Sequence, residues 1–342
     1  SRRRTRCGGS GVSARVGGWG GGRAPSCESL VVGVGNWGLR VRTSDGSDWA
    51  ICQNPSTGND HSPDLLRNVA YGDGVFVAVG GDANSMVMRS LDGVHWEEDL
   101  HPTDNCAGEP YPASCSNWMG GVAYGGGVWL AGGGNGALMR SLDDGQSWTG
   151  LHPDPKPNAI RDVAFGAGRF IAGTDGGVVI VSADAGDSWT DHALWDNAMS
   201  ITFGGGVFIA KGRNWNGSGF DHGCSISLDL GDSWGDCASE ILTAGAVVWD
   251  GARWVAGSDG GYLTSADGVS WTPHTSADFP GEYLFDGSQW IGLSGGNAST
   301  SSDLDSWTPT ATGLPGFRAW VAGTVLDENL PVRGVPACED NG

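Results

Sequence analysis

A short motif, Ser-x-Asp-x-Gly-x-x-Trp, recurs seven times along this chain of 342 residues, with 36 to 52 residues between successive motif tryptophans. Complete copies begin at Ser141, Ser182 and Ser227, and copies one residue shorter begin at Thr43, Ser90 and Ser265. A seventh copy, between Ser301 and Trp307, lacks the glycine. Self-similarity at a fixed period of this length indicates a repeat architecture, in which each unit buries its apolar face against its neighbours.

Each repeat reads as four short strands. Two apolar runs split by a glycine-rich turn precede the motif, for example at residues 69–78, and such runs are typical of β-hairpins. In one unit the predicted strands are 162–165, 169–173, 178–182 and 188–191. The 61 glycines disfavour helices, because a glycine inside a helix costs roughly 1 kcal/mol relative to alanine. Seven such units predict an all-β fold, a seven-bladed β-propeller of four-stranded antiparallel blades.

The two ends of the chain predict how the ring closes. The first unit begins at residues 30–34 with a run of the second-strand type, so its innermost strand is missing. Residues 317–321 follow the last motif and resemble the innermost strands of other units. We therefore expect a C-terminal strand to complete the first blade, which removes the exposed sheet edge of an open array.

One alternative to this closure is a partial eighth blade, because residues 253–257 also resemble residues 319–323. With seven blades, the chain divides into three predicted parts. They are a Gly/Arg-rich N-terminal segment (1–29), the propeller (30–325) and a C-terminal tail (326–342).

Acidic side chains dominate the composition. Asp and Glu total 39 against 19 Lys and Arg, a formal net charge of −20. This charge argues against a nucleic-acid partner, because phosphate contacts need clustered basic residues. No run approaches 18 apolar residues, so we expect no membrane span. Eight cysteines without a Cys-x-x-Cys pair indicate disulfides, and therefore a secreted, extracellular or periplasmic protein.

The cysteine positions predict specific disulfides. Cys224 and Cys237 flank one motif hairpin and so lie at the same end of adjacent strands, where a bridge fits. Cys106 and Cys115 lie nine residues apart in an insertion between the second and third units. The remaining predicted pairs are Cys27 with Cys338, which flank the closing blade, and, by elimination, Cys7 with Cys52.

The repeated motif resembles the Asp-box, or BNR repeat, of propellers in sialidases, xyloglucan-active glycosidases, sortilin-type receptors and photosystem II assembly factors. The resemblance covers about residues 30–325. It implies that each box is the hairpin between the third and fourth strands, where Ser and Asp satisfy turn backbone groups and Trp packs between blades. We expect no cofactor on this basis, and calcium binding by the box aspartates is the alternative. The sialidase pattern is incomplete, because no Arg-Ile-Pro segment occurs.

The loops at the end of the ring opposite the boxes are the expected functional face, because loops vary while the sheets hold them in place. Arg67, Arg161 and Arg318 align at the starts of innermost strands, and Glu282 aligns one position later. Such arginines would select a carboxylate or sulfate group through paired hydrogen bonds. The alternative is that they pair with neighbouring carboxylates and only seal the channel.

An insertion at residues 211–223 breaks the repeat on the same face and carries Trp215, Asp221 and His222. A tryptophan flanked by polar side chains resembles a sugar-stacking site, which combines an apolar face with hydrogen-bonding edges. The alternative is one more exposed tryptophan of a tryptophan-rich propeller.

These features predict a binding or adhesion propeller that recognises a glycan or an extracellular protein through this face. The alternative is a polysaccharide-active glycoside hydrolase or lyase. An enzyme would bring two carboxylates, or a tyrosine and a histidine, together in one cleft. A binding module would show tryptophan platforms without such a pair.

Overall fold

The computed structural model describes residues 27–52, 65–82, 85–97, 118–151, 157–194, 197–215, 220–316 and 318–326. In this part of the chain, 28 strands form seven antiparallel sheets of four strands, the blades of a ring. The predicted all-β, seven-bladed propeller is confirmed. Single turns of 3-10 helix occur at Asn36–Gly38, Gly134–Gly136 and Ser239–Ile241.

The strands are numbered β1 to β28 in chain order, and each blade is given from its innermost to its outermost strand. Blade one contains β28 (Ala319–Leu326), β1 (Cys27–Val34), β2 (Arg40–Thr43) and β3 (Ala50–Cys52). Blade two contains β4 (Leu66–Gly72), β5 (Val75–Gly80), β6 (Met86–Ser90) and β7 (Trp96–Glu97). Blade three contains β8 (Met119–Gly125), β9 (Val128–Gly133), β10 (Leu138–Ser141) and β11 (Thr149–Leu151). Blade four contains β12 (Ile160–Gly166), β13 (Arg169–Thr174), β14 (Val178–Ser182) and β15 (Thr190–Ala193).

The last three blades follow the same order. Blade five contains β16 (Ala198–Gly204), β17 (Val207–Trp215), β18 (Phe220–Ser227) and β19 (Gly235–Asp236). Blade six contains β20 (Val247–Trp249), β21 (Trp254–Ser258), β22 (Gly261–Ser265) and β23 (Thr272–Thr275). Blade seven contains β24 (Glu282–Phe285), β25 (Trp290–Ser294), β26 (Asn297–Ser301) and β27 (Thr308–Ala311).

The C-terminal strand closes the ring, as predicted. β28 pairs with β1 along its whole length, from Cys27 opposite Leu326 to Val34 opposite Ala319. The innermost strands then contact one another around the ring in the order β28, β4, β8, β12, β16, β20, β24 and back to β28. The alternative of a partial eighth blade is wrong for the described residues, because the segment that suggested it is β21, the second strand of blade six.

All seven motif hairpins form the same hydrogen bonds. In the copy that begins at Ser227, the Ser227 hydroxyl accepts from the Gly231 amide over 2.7 Å. Asp229 Oδ1 accepts from the Ser233 amide over 2.8 Å, and Trp234 Nε1 donates to the Gly231 carbonyl over 3.2 Å. The other six copies repeat this pattern.

The hydrogen bonds of these hairpins lower the pKa of several box aspartates. The hydroxyl and amide of Ser233, with the hydroxyl of Ser227, lower the pKa of Asp229 to about 2. Bonds of the same kind lower the pKa of Asp184 and of Asp267. The carboxylates therefore fix the turn geometry, which is the structural role that the Asp-box resemblance implied.

An aromatic residue lies near the end of the innermost strand in six blades: Tyr71, Tyr124, Phe165, Phe203, Trp249 and Phe285. Each ring packs on the aromatic residue opposite it in the second strand, with centroids 4.6 to 5.4 Å apart. In five interfaces the ring also covers a glycine of the preceding blade, where a side chain has no room. A Cβ added to Gly166 would lie 2.1 Å from Phe203 Cγ. We call this packing the aromatic–glycine contact.

The disulfide between Cys224 and Cys237 is confirmed, with 5.4 Å between the Cα atoms. It ties β18 to the residue that follows β19, beside the hairpin of blade five. Three predicted pairs involve Cys7, Cys106, Cys115 and Cys338, which lie outside the described residues. Of the cysteines predicted to pair with them, Cys27 is the first residue of β1 and Cys52 is the last residue of β3.

The aromatic–glycine contact predicts a large effect of one methyl group. We expect Gly166→Ala to destabilise the protein by about 1–3 kcal/mol, because the Cβ overlaps the Phe203 ring and two blades must shift. Gly235→Ala is the matched control, since no atom lies within 4 Å of its added Cβ. Urea denaturation followed by tryptophan fluorescence measures both variants. Equal stability of the two would contradict this account of the blade interface.

The closure of blade one makes a second prediction. A chain that ends at Pro315 lacks β28 and exposes the edge of β1 together with the buried Val31 and Val32. We expect it to aggregate or to melt roughly 10 °C or more below the full chain. A chain that ends at Leu326 keeps β28 and serves as the control in differential scanning calorimetry. A soluble monomer of the shorter chain with unchanged melting would refute the closure by β28.

Candidate functional site

The innermost strands of four blades carry an extra residue near the loop face. The register shifts after Leu66 in blade two, after Met119 in blade three, after Ile160 in blade four and after Ala198 in blade five. The extra residues are Arg67, Gly120, Arg161 and Met199. A bulge interrupts the regular alternation of side chains along a strand, and at this position Arg67 and Arg161 both reach Trp118.

Trp118, just before β8, lies between the two bulge arginines. The guanidinium carbon of Arg161 is 4.7 Å from the centroid of the Trp118 ring, and that of Arg67 is 5.2 Å from it. The arginines belong to blades two and four, which flank the blade of Trp118. Two cation–π contacts of this kind hold three long side chains in one arrangement.

The Trp118 ring occupies space that a side chain at residue 120 would need. A Cβ at Gly120 would lie 2.8 Å from the Trp118 ring and 2.6 Å from the Ile160 carbonyl. Gly121 has the same restriction, since its Cβ would lie 2.5 Å from the Asp162 Cα. Blade three therefore supplies a ring at this level of the channel in place of a third bulge arginine.

Both bulge arginines have acceptors nearby. Arg161 binds Asp175 through two hydrogen bonds, Nε to Oδ1 over 2.7 Å and Nη2 to Oδ2 over 2.6 Å. Arg67 donates to the Gly81 carbonyl over 3.2 Å, and its nearest Asp82 oxygen is 3.8 Å away. The pairing with carboxylates that we gave as the alternative is thus present, tightly at Arg161 and loosely at Arg67.

The third predicted arginine, Arg318, lies close enough to Arg67 to affect its pKa. Arg318, just before β28, donates from Nε to Asn36 Oδ1 over 2.5 Å. Burial lowers the pKa of Arg67, and the positive charges of Arg318 and Arg161 lower it further, while Asp82 opposes them. The hydrogen bond to Asp175 instead raises the pKa of Arg161. Arg67 and Arg318 therefore lack the paired carboxylate hydrogen bonds that Arg161 has.

A buried carboxyl group lies behind these arginines. Asp162 Oδ1 accepts from the Val163 amide over 2.9 Å and from Asn68 Nδ2 over 3.1 Å, and Oδ2 accepts from the Ile201 amide over 2.8 Å. Asn68 belongs to blade two and Ile201 to blade five, so the bonds span four consecutive blades. Burial raises the pKa of Asp162 to about 6, although the hydrogen bonds oppose the change.

The predicted insertion in blade five is an extension of the hairpin β17–β18. The strand register places Arg213 opposite His222, Asn214 opposite Asp221 and Trp215 opposite Phe220. The predicted residues Trp215, Asp221 and His222 therefore lie near the tip of this hairpin. His222 is exposed. Asn197 connects the hairpin to blade four, since it accepts from the Gly176 amide and donates to the Arg213 carbonyl over 3.3 Å.

Glu282 does not join the arginines of blades two and four. It begins β24 in blade seven, two blades from Arg67 around the ring. Partial burial raises the pKa of its carboxyl group. The structure thus groups three of the predicted residues, Arg67, Arg161 and Arg318, and places Glu282 elsewhere on the ring.

Trp118 is the site residue that the sequence analysis missed. It lies at the end of an insertion between blades two and three, at residues 97–118, and directly before β8. The available signal was the pair Gly120-Gly121, which replaces Arg67-Asn68 and Arg161-Asp162 at the same positions. Two glycines where neighbouring repeats carry long polar side chains indicate that another group fills the space.

In the described part of the chain, no helix is long and apolar enough to cross a bilayer. Within the same residues, no three His, Cys, Asp or Glu side chains lie close enough together to hold a metal ion. His274, in β23, stacks on Tyr262 with 4.7 Å between ring centroids.

No family model matches the chain, and no curated protein matches it. Among solved structures it is similar to YCF48 from Cyanidioschyzon merolae, at 15% identity and a TM-score of 0.54, over 72% of this chain and 87% of that one. It is also similar to the GH74 xyloglucanase from Xanthomonas campestris, at 17% identity and a TM-score of 0.52. That match covers 82% of this chain and 54% of the xyloglucanase chain. A structure of YCF48 bound to D1 peptide matches at 18% identity and a TM-score of 0.47. The match covers 82% of this chain and 89% of that one. Likeness at these identities shows the propeller fold alone.

The opposite pKa shifts of Asp162 and Asp229 predict that the protein is most stable at an acidic pH. The unfolded chain releases the proton of Asp162 near pH 4 and the folded chain near pH 6, so its contribution falls by about 2–3 kcal/mol as the pH rises between them. The contribution of Asp229, whose folded pKa is about 2, instead grows between about pH 2 and pH 4. Urea denaturation from pH 2 to pH 8 should therefore give a maximum near pH 4.

Asp162→Asn is the test of this assignment. The variant should lose the decline between pH 4 and pH 6, because the titrating group is gone. Asp259→Asn, an exposed change of the same charge, is the control and should keep the decline. The same pH profile in the Asp162 and Asp259 variants would contradict the role of Asp162.

Proposed function

We propose that this chain is a secreted or cell-surface binding propeller that recognises an anionic group of a protein or glycan through the loop face. The observation that carries the proposal is the incomplete compensation of Arg67. Its guanidinium group lies beside two other arginines, and its nearest carboxylate oxygen is 3.8 Å away. A ligand carboxylate at Arg67 gains charge-assisted hydrogen bonds, worth roughly 1.5–3 kcal/mol each.

An acidic segment of a partner protein fits this site better than a neutral sugar. Arg67 and Arg161 already lie over the Trp118 ring, so that ring is not free to stack on a sugar. The predicted sugar platform is Trp215, near the tip of the β17–β18 hairpin. Glycan binding would thus depend on Trp215, and recognition of a carboxylate would depend on Arg67.

The carboxylates of the site support a binding role over hydrolysis. Asp175 uses both oxygens on Arg161, and both oxygens of the buried Asp162 accept hydrogen bonds. A glycosidase needs two carboxyl groups that face the substrate from one cleft. The polysaccharide-active enzyme therefore remains the second candidate.

The disulfide between Cys224 and Cys237 supports the proposed location. Disulfides persist in oxidising compartments and are rare in the cytosol. The net charge of −20 fits this assignment, because it keeps the protein soluble and makes the arginine cluster a local exception.

Binding to immobilised acidic peptides and to uronic-acid oligosaccharides tests the proposal. We expect Arg67→Ala to weaken binding of the acidic peptide about ten- to a hundredfold, and we expect added salt to weaken it as well. Arg169→Ala removes the same charge on the box side, where Arg169 pairs with Asp232, and should leave the affinity unchanged.

Two further measurements distinguish the alternatives. If Trp215→Ala abolishes oligosaccharide binding while Arg67→Ala has no effect, the ligand is a glycan held by the hairpin. Release of reducing ends from a panel of polysaccharides would establish the hydrolase instead. If Arg67→Ala only lowers the melting temperature and every affinity is unchanged, the arginines merely seal the channel.

A further inference from the structure

A cavity of about 350 Å³ opens at the other end of the channel, on the box side of the ring. It lies where the innermost strands of blades one, two and seven end, beside the turn that follows β20. Its lining includes the aromatic residues Tyr71 and Phe285, the carboxylates of Asp250 and Asp286, and Ala322. This cavity shares no lining residue with the arginine cluster of the loop face.

The cavity exists because the aromatic–glycine contact is interrupted there. Ala322 pairs with Val31 in blade one, at the position where the other six blades carry an aromatic pair. In the preceding blade, blade seven, Asp286 follows Phe285 and occupies the position that Gly72 has after Tyr71 in blade two. Between blades seven and one, a small side chain and a carboxylate thus replace a ring packed on a glycine.

The two carboxylates of the cavity differ in how their charge is compensated. Asp250 Oδ1 accepts from the Arg253 amide over 2.7 Å, and Oδ2 accepts from Arg253 Nε over 3.2 Å. Asp286 accepts from the amides of Ser288 and Gln289 over 2.7 and 2.9 Å, and from the Ser288 hydroxyl over 2.8 Å. All three bonds end on Oδ1, and both partners are neutral.

We propose that this cavity binds a planar guanidinium group, such as an arginine side chain, with Asp286 as its anionic partner. A guanidinium group donates paired hydrogen bonds to a carboxylate and stacks on aromatic rings, and the cavity presents both next to each other. The site is independent of the proposed function, because it lies at the opposite end of the channel and selects the opposite charge.

Calorimetric titration of the full chain with argininamide tests the site, with citrulline amide as the neutral ligand of the same shape. We expect argininamide to bind and citrulline amide not to bind. Asp286→Asn should weaken binding of argininamide at least tenfold, because it removes a charge-assisted hydrogen bond. Asp259→Asn, with the same loss of charge at the turn between β21 and β22, should leave the affinity unchanged.

A second variant tests the cavity rather than the charge. Asp286→Gly combined with Ala322→Phe introduces the aromatic–glycine contact of the five other interfaces and fills the space. We expect this chain to be at least as stable as the parent in urea denaturation and to bind no argininamide. Should the double variant fail to fold, the argininamide affinities of Asp286→Asn and Asp259→Asn are sufficient to test the proposal.

The guanidinium group has two possible sources, a separate molecule or this chain. The sequence carries four arginines before residue 7, namely Arg2, Arg3, Arg4 and Arg6. In a full-length variant with these four changed to glutamine, tighter binding of argininamide identifies them as a competitor, and equal affinity identifies an external ligand. No binding in either chain, equal binding of the neutral amide, or equal effects of Asp286→Asn and Asp259→Asn would overturn the proposal.

Discussion

The ring depends on one packing interaction, an aromatic side chain of one blade laid over a glycine of the blade before it. Tyr124 occupies the space that a side chain at Gly72 would need, and Phe165 does the same at Gly125. Each ring also packs on an aromatic partner within its own blade, so the contact couples the interior of a sheet to the interface between sheets. Five glycines are explained by this geometry, because a large ring near the axis requires a neighbour without a side chain.

The architecture was predictable because its signals are local and repeated. The motif Ser-x-Asp-x-Gly-x-x-Trp encodes a hairpin whose hydrogen bonds all lie within a few residues, so seven copies give seven blades. The C-terminal strand was predictable from the missing first strand, although its bounds, Ala319–Leu326, lie later than expected. The disulfide at Cys224 was predictable for the same reason, since both cysteines flank one hairpin.

The candidate site was less predictable, because its contacts join different blades. Alignment of the repeats gave Arg67 and Arg161 but not the ring between them, since Trp118 lies outside the repeated pattern. The register shift that redirects the arginines depends on how two strands pair, which no single repeat reveals. The cavity beside Asp286 is similar: it arises from Ala322, at the far end of the chain, meeting a turn of blade seven.

The hydrogen bonds of Asp162 have a consequence for how the ring opens. Asn68, Asp162 and Ile201 join blades two, four and five, and Gly121 of blade three is packed against the same residue. These four blades therefore share one buried centre, and none of them separates without exposing it. Blades six and seven have innermost strands of only three and four residues, Val247–Trp249 and Glu282–Phe285. We therefore expect native-state hydrogen exchange to divide the ring into one slowly exchanging block of four blades and a faster arc beside the blade that β28 closes.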